Sequence, residues 1–330
     1  MPKVAVSLPP CGYRNRDTAL ARERYLLLYF PMRGLCASGA AKELFMQTRR
    51  ETIAAVGALA AFLAKPTFGK WRASAIVQLE QASGGRLGVF ALDLETGRSF
   101  AHRPGERFKL MSTFKALLTA MVLKEASAGR LQLDEVLRFG PQDLMSASPV
   151  TTANVAAGQM SVAALSEATM SRSDNAAANL LMRRLGGPAA LNAFIRSTGD
   201  KVTRIDNYEG PLLATTPLPA DSTTPHQAVA TLQHLVAGAV FSPNDKRLWE
   251  GWMASNVVGK TRLRAAFPPD WKAGDRTGTG DGVCNDIAFA RRPGRAPLLL
   301  AAFYESPGQE LSDQERVLRR VSKIVVDWQR

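Results

Sequence analysis

Ser112 and Lys115 stand three residues apart and form the only Ser-x-x-Lys pattern in the chain. Residues 116–123, which follow directly, are apolar on nearly every helical face, and this predicts a helix buried in the core. Residues at positions i and i+3 of a helix are neighbours, so Lys115 can reach the Ser112 hydroxyl. Burial lowers the pKa of a lysine and makes it a plausible base. The pair therefore predicts a nucleophilic serine at a helix N-terminus, where developing negative charge is favoured.

A second polar motif, Ser-Asp-Asn at residues 173–175, interrupts a helical, alanine-rich segment over residues 163–185. These side chains compete for backbone hydrogen bonds and are disfavoured inside a helix. We therefore expect a break that presents Ser173 and Asn175 to a cleft. A capped junction between two helices, with no role in chemistry, is the alternative for this motif alone.

A third motif, Arg-Thr-Gly-Thr-Gly at residues 276–280, lies on a strand-like stretch. Glycine in a strand permits close approach of a ligand or of another backbone. Arg276 supplies a permanent positive charge. Taken alone, the motif is equally consistent with an edge strand that ends in a turn.

The elements that must position these motifs follow the order helix, strands, long helical block, strands, helix. The hydrophobic pattern predicts terminal helices over residues 71–83 and from residue 312, and strands over residues 87–94, 98–102, 272–279, 285–291 and 297–304. Residues 112–257 are mostly helical. The predicted fold is α/β plus all-α: an antiparallel sheet flanked by the N- and C-terminal helices, with an inserted all-helical lobe and the active site in the cleft between them.

The amino-acid composition limits the classes of protein to which this chain can belong. The 330 residues are 46% hydrophobic and 22% charged, as in soluble globular proteins, which argues against collagen, wholesale disorder and a polytopic membrane protein. The net charge of +13 raises the question of a nucleic-acid partner. However, residues 1–70 hold 11 basic and 4 acidic residues, so this leader accounts for over half of the excess. We therefore expect no nucleic-acid partner.

The leader is typical of an export signal. Thr-Arg-Arg-Glu-Thr-Ile at residues 48–53 opens an uncharged run that ends at residue 64. Twelve helical residues span about 18 Å, too short for a bilayer core of about 30 Å. We predict a twin-arginine-type signal peptide over residues 46–66, a catalytic domain over residues 67–330, and a periplasmic or secreted protein. A buried amphipathic helix is the alternative. Residues 1–45 form a doubtful upstream extension. Either translation begins at Met46 and residues 1–45 are not part of the protein, or they are a genuine cytoplasmic extension.

Taken together, the three motifs resemble those of the penicillin-recognising serine acyl enzymes, and among them the class A β-lactamases. The resemblance covers about residues 71–330. Residues 204–211 and 221–225 look like the omega loop of that family, and Glu209 matches its water-activating glutamate. The resemblance implies hydrolysis of β-lactam antibiotics through a serine acyl-enzyme, and hence antibiotic resistance.

The resemblance also implies roles for individual residues. Ser112 would be the nucleophile, Lys115 and Glu209 would share the proton transfers, and Ser173 would pass a proton to the leaving nitrogen. The substrate would be bound by Asn175, Arg276, Thr277, Gly278, Thr279 and Arg262. No metal or cofactor is implied. The expected partner is a small-molecule β-lactam, and we expect a monomer that has no membrane partner in its mature form.

Four positions depart from the family pattern. Arg276 replaces the usual lysine, although the positive charge survives. Asn207 replaces an arginine that usually pairs with the aspartate matched by Asp221, which predicts a less firmly tied loop. Leu213 stands where an asparagine commonly helps to hold the deacylating water. Ala147 lies near an aromatic gatekeeper of many members, which predicts a wider entrance to the cleft.

Two other activities would use the same serine and lysine. One is a DD-peptidase or transpeptidase acting on cell-wall peptides, and Glu209 in its loop argues against it. The other is a slow-turnover β-lactam-binding protein, for which Leu213 is the only support.

Overall fold

The computed structural model describes residues 67–329, of which residues 67–74 are described by their backbone alone. The predicted extension over residues 1–45 and the predicted signal peptide over residues 46–66 lie outside the described residues. Within residues 67–329, no helix is long and apolar enough to cross a bilayer.

The chain alternates helical and extended segments in the predicted order. The helices are α1 Thr67–Ser83, α2 Lys115–Ser127, α3 Pro149–Ala153, α4 Val162–Ser171, α5 Asn175–Arg184, α6 Gly187–Ser197, α7 Leu212–Thr215, α8 Pro225–Ala237, α9 Pro243–Ala254 and α10 Leu311–Gln329. The strands are β1 Arg86–Asp93, β2 Ser99–His102, β3 Phe108–Lys109, β4 Val136–Arg138, β5 Gln159–Ser161, β6 Ser222–Thr223, β7 Lys272–Gly280, β8 Val283–Arg291 and β9 Leu298–Glu305.

Five antiparallel strands form the main sheet, in the order β2-β1-β9-β8-β7. Strand β9 lies in the centre and is apolar along nearly its whole length because both of its faces are buried. Leu300 contributes to one core cluster with α1 and α10, whereas Leu299 contributes to the other with the helical lobe. The sheet is therefore a layer between the two terminal helices and the all-helical lobe.

Helix α2 runs through the middle of the helical lobe, and residues 115–123 are all buried. This explains why its sequence has no polar face. The side chains of α2 pack in the same cluster as those of α4, α5 and α6. The segment that follows Ser112 is thus enclosed by the lobe, which fixes the start of α2 at the edge of the sheet.

The predicted fold class is confirmed, and the five predicted strands and the two terminal helices are present. The predicted interruption at residues 173–175 is also present, because α4 ends at Ser171 and α5 begins at Asn175. Ser173 has a φ of 57°, in the left-handed region that few non-glycine residues adopt. The short pairs β3–β6 and β4–β5 were not predicted, since two or three residues carry no readable alternation.

Candidate active site

Ser112 lies on a single 3₁₀ turn, Met111–Phe114, that leads directly into α2. This turn packs against β7 at Gly278, where an added Cβ would lie 2.6 Å from the Leu110 carbonyl oxygen and 3.0 Å from Met111 Cβ. A side chain at position 278 would therefore push the turn away from the strand. Gly278 therefore allows the chain segment that carries Ser112 to lie close against β7.

Lys115 is completely buried one turn after Ser112. Its Nζ lies 3.1 Å from Ser112 Oγ, 2.8 Å from the Ser173 carbonyl oxygen and 2.6 Å from Asn175 Oδ1. Burial lowers the pKa of Lys115 to about 8, although the nearby Glu209 charge acts in the opposite direction. An amine with this pKa exists in both protonation states near neutral pH, as a group that exchanges protons requires.

Glu209 joins Ser112 and Lys115 from a separate loop. Its Oε1 lies 2.6 Å from Lys115 Nζ and accepts a hydrogen bond from the Ser112 hydroxyl. Asn179 on α5 fixes the Glu209 backbone on both sides: its Oδ1 accepts from the Glu209 N–H at 2.8 Å, and its Nδ2 donates to the Glu209 carbonyl at 3.0 Å. One carboxylate oxygen is therefore placed between the hydroxyl and the amine.

The break between α4 and α5 is held open by Asp174. This buried carboxylate accepts hydrogen bonds from the N–H groups of Val150, at 2.8 Å, and Ala177, at 2.9 Å. It thus caps α5 and ties it to the preceding loop. With Asp174 turned inward, Ser173 and Asn175 face Lys115, as the sequence predicts for a polar break at a cleft.

Arg276 on β7 connects the two sides of the site. The buried guanidinium donates from Nε to the Ser112 carbonyl at 3.1 Å, from Nη1 to the Met170 carbonyl at 2.8 Å, and from Nη2 to the Ser173 hydroxyl. Burial lowers its pKa to about 10, which leaves the group charged at neutral pH. Three donors in a rigid fork let one side chain hold the nucleophile's segment and the helix break together.

Arg262 lies behind β7, where its side chain is also buried. Its Nη1 donates to the carbonyls of Gly278 and Asn285 at 3.0 and 2.9 Å, and its Nη2 donates to Thr279 Oγ1 at 2.7 Å. Thr277 is buried and Thr279 is exposed. The predicted substrate-binding residues of β7 are therefore together at the edge of the sheet, with Arg262 supporting Thr279 from behind.

A buried carboxyl pair lies under this edge. Burial raises the pKa of Asp275 to about 6, and burial together with the neighbouring Asp275 raises that of Asp286 well above its usual range. Arg264 forms an ion pair with Asp275, and the Leu263 N–H donates to Asp286 at 3.1 Å. Of the two carboxyl groups, Asp286 is therefore the one that holds a proton more readily.

The loop carrying Glu209 is closed by hydrogen bonds to the buried carboxylate of Asp221. Its Oδ1 accepts from the N–H groups of Asp206 and Asn207, at 2.8 and 3.1 Å, and its Oδ2 accepts from Asn207 Nδ2 at 2.6 Å. A neutral amide thus contacts Asp221 at a position where the resemblance leads us to expect an arginine. Leu213, in the same loop, is buried in the core cluster and offers no polar side-chain atom.

Sequence reasoning missed Asn179 and Lys109, whose side chains hold the loop. Asn179 could have been found, since it lies four residues after Asn175 on one helical face. Lys109 could not, because its partners, the carbonyls of Thr216 and Ala220, are more than 100 residues away. Within residues 67–329, no group of three His, Cys, Asp or Glu side chains is placed to hold a metal ion.

Known proteins resemble this chain over most of its length. The model of the beta-lactamase enzyme family matches residues 72–329. The carbapenem-hydrolyzing beta-lactamase KPC of Klebsiella oxytoca is 38% identical over 258 residues, covering 77% of this chain and 88% of that protein. Beta-lactamase AST-1 of Nocardia asteroides is 39% identical over 254 residues, covering 76% and 81%. The crystal structure of a beta lactamase from Burkholderia vietnamiensis has a TM-score of 0.77 and 46% identity, covering 78% of this chain and 96% of that one.

Proposed function

Because this chain belongs to the β-lactamase enzyme family, as a class A serine β-lactamase, we propose that its hydrolysis of β-lactams is carried out by Ser112, Lys115, Ser173 and Glu209. The enzyme opens the β-lactam ring and so gives resistance to these antibiotics. The observation that carries the assignment of residues is the convergence of Lys115 Nζ and Ser112 Oγ on one oxygen of Glu209.

In acylation, Ser112 Oγ attacks the lactam carbonyl carbon while its proton passes to the Lys115–Glu209 pair. The C–N bond of the tetrahedral intermediate then breaks, and the nitrogen takes a proton through the Ser173 hydroxyl. Ser173 suits this role because Lys115 Nζ lies 3.2 Å from its Oγ and can replace the proton. Backbone N–H groups of Ser112 and Thr279 stabilise the oxyanion, and losing one such donor typically costs about 2.7–4 kcal/mol.

In deacylation, Glu209 takes a proton from a water molecule that attacks the ester carbonyl, and the Ser112 oxygen leaves and recovers its proton. Because Leu213 cannot hydrogen-bond to this water, its orientation depends on Glu209 and on the backbone around it. General-base assistance of this kind is typically worth about 10²–10⁴-fold. The position of Glu209 therefore decides the rate of the second half of the cycle.

Substrate binding uses the two motifs that face each other across the cleft. Asn175 holds the side-chain amide of the β-lactam, and its own Nδ2 donates to the Ser146 carbonyl at 3.0 Å. Arg276, Thr277, Gly278 and Thr279 bind the substrate carboxylate. Arg262 contributes through Thr279, whose hydroxyl it contacts.

We further propose export by the twin-arginine-type signal over residues 46–66, a mature enzyme over residues 67–330 in the periplasm or outside the cell, and a monomer. The twin-arginine pattern and the short apolar run after it support the export proposal. N-terminal sequencing of the precursor and of the mature protein tests it, and a peptide from residues 1–45 would contradict a start at Met46.

Turnover of a chromogenic cephalosporin by the purified protein tests the function. Steady turnover is expected. One acylation burst with no turnover would favour the slow β-lactam-binding protein. Release of D-alanine from a cell-wall peptide, with little lactam hydrolysis, would favour the DD-peptidase. A carbapenem belongs among the substrates tested, because one relative is named for hydrolysing carbapenems.

A further inference from the structure

The side chain of Lys109 reaches into the loop that carries Glu209. Its Nζ donates to the carbonyl oxygen of Ala220 at 3.2 Å and to the carbonyl oxygen of Thr216. Both carbonyls belong to the part of the loop between Glu209 and Asp221. Lys109 is half-buried, so the ammonium group is partly shielded from water and its hydrogen bonds are charge-assisted.

The backbone of Lys109 is fixed relative to the nucleophile. Lys109 lies on β3, three residues before Ser112, and pairs with Ser222 on β6. Its carbonyl accepts a hydrogen bond from Asn285 Nδ2 on β8 at 2.7 Å, and the next residue, Leu110, donates its N–H to the Asp221 carbonyl at 2.8 Å. The ammonium group therefore extends from a segment that is hydrogen-bonded to the main sheet and leads directly to Ser112.

In the loop's own closing contacts, the donors to the Asp221 carboxylate are neutral. Asn207 gives Asp221 one amide hydrogen bond, and the remaining contacts to that carboxylate come from backbone N–H groups. Hydrogen bonds with one charged partner, as at Asp221 and at Lys109, contribute more than those between neutral groups. Lys109 adds a cation that binds two carbonyls of the loop directly.

We propose that Lys109 is a positioning residue for deacylation. It ties residues 216–220 to the segment before Ser112 and so keeps Glu209 at its place between the nucleophile and Lys115. The inference rests on the proposed role of Glu209 as the base that activates water. Acylation depends less on the loop. Lys115 is held by α2 and lies within hydrogen-bonding distance of Ser112, and neither residue belongs to the loop. Loss of the tether should therefore slow deacylation more than acylation.

The test compares Lys109→Met, Lys109→Gln and Lys109→Arg with the wild type, and Lys124→Met is the control because it removes the same charge from an exposed site on α2. Acyl-enzyme decay is followed by mass spectrometry after mixing with a cephalosporin. Hydrogen exchange of loop peptides over residues 209–221 is measured on the free enzymes. Circular dichroism and melting temperature establish that each variant is folded.

We expect Lys109→Met to slow deacylation by about tenfold or more, with kcat and KM falling together and kcat/KM changing by less than about threefold. Loop amides should exchange faster in this variant. Lys109→Gln should fall between Met and the wild type, and Lys109→Arg and Lys124→Met should match the wild type.

Wild-type deacylation in both neutral variants would overturn the proposal. So would an equal loss of acylation and deacylation, since that pattern indicates general destabilisation rather than positioning. If Lys109→Met does not fold, the deacylation rates of Lys109→Gln and Lys109→Arg are compared instead, and equal rates in these two variants would overturn the proposal. Failure of the proposed function gives a different result, because the wild type itself would then form an adduct on Ser112 that does not decay, or no adduct at all.

Discussion

Lys115 and Glu209 are in direct contact, with Nζ and Oε1 2.6 Å apart inside the cleft. The contact joins the buried helix of the lobe to a surface loop 94 residues further along the chain. In the proposed mechanism, this contact lets either residue receive the Ser112 proton, whereas a water molecule attacking from the loop side has only the carboxylate available. The two halves of the catalytic cycle therefore differ in how much they depend on Glu209.

Replacing Glu209 by Gln should trap the acyl-enzyme. The amide keeps the shape of the side chain but accepts no proton from water, so deacylation should slow by about 10²–10⁴-fold. Mass spectrometry after incubation with a penicillin should show one covalent adduct per chain. Ser112→Ala is the matched control and should give no adduct, and full turnover by Glu209→Gln would refute the role of Glu209.

The pH dependence of acylation in Glu209→Gln should report on Lys115. Burial lowers the pKa of Lys115 to about 8 in the wild type, and the Glu209 charge opposes this effect. Removing the carboxylate should lower the pKa further, so the neutral amine becomes populated at a lower pH. We expect the rate of adduct formation to rise with pH, with a midpoint below 8. A flat profile, or a midpoint above 8, would show that Lys115 is not the base.

Arg276→Lys should cost stability more than activity. Lysine keeps the positive charge for the substrate carboxylate, but one ammonium cannot reach the carbonyls of Ser112 and Met170 and the Ser173 hydroxyl together. Leaving a buried acceptor unsatisfied costs about 1–3 kcal/mol. Thermal unfolding should show this loss while kcat/KM stays within about tenfold. Arg276→Gln, which loses the charge, should instead lose kcat/KM, and equal behaviour of the two variants would contradict the assignment.

Asn179→Leu should displace Glu209 although it touches no substrate. The substitution keeps the volume of the side chain and removes both hydrogen bonds to the Glu209 backbone. We expect acyl-enzyme to accumulate at steady state, because a small displacement of a catalytic group can cost about 10²-fold. Quenched-flow mass spectrometry measures the acylated fraction. Asn154→Leu, which changes an amide bonded only within its own turn, is the control. An unchanged acylated fraction in Asn179→Leu would be evidence against this positioning role.

The parts of the site that could be predicted from the sequence are those with a local signature. Ser112 and Lys115 precede an all-apolar helix, and Ser173 breaks an alanine-rich one, so each motif marks both its chemistry and its element. Strand β7 was predicted for the same reason, although the hydrogen bonds of Arg276 across the cleft were not. These hydrogen bonds connect residues that are separated by 164 and 103 positions in the sequence, and no periodicity of the sequence encodes such a contact.

The loop was the hardest part to predict. Its position depends on Asn179 and Lys109, which lie far from it in sequence and look like ordinary polar residues of a helix and a strand. The replacement at Asn207 suggested a looser loop, whereas the structure shows an amide hydrogen bond to Asp221 and contacts from Lys109. Long-range compensation of this kind becomes visible only when the fold brings the segments together.

The central position of β9 has a consequence for how the enzyme is made. Residues 298–305 pair with β1, over 200 residues earlier, and separate it from β8. On the ribosome, β1 and α1 emerge long before the strand that completes their sheet. Folding of the sheet must therefore wait for nearly the whole polypeptide, and contacts of such high sequence separation form slowly. Strand β7, with residues 276–279, belongs to this sheet, so the proposed active site would be complete only late in synthesis.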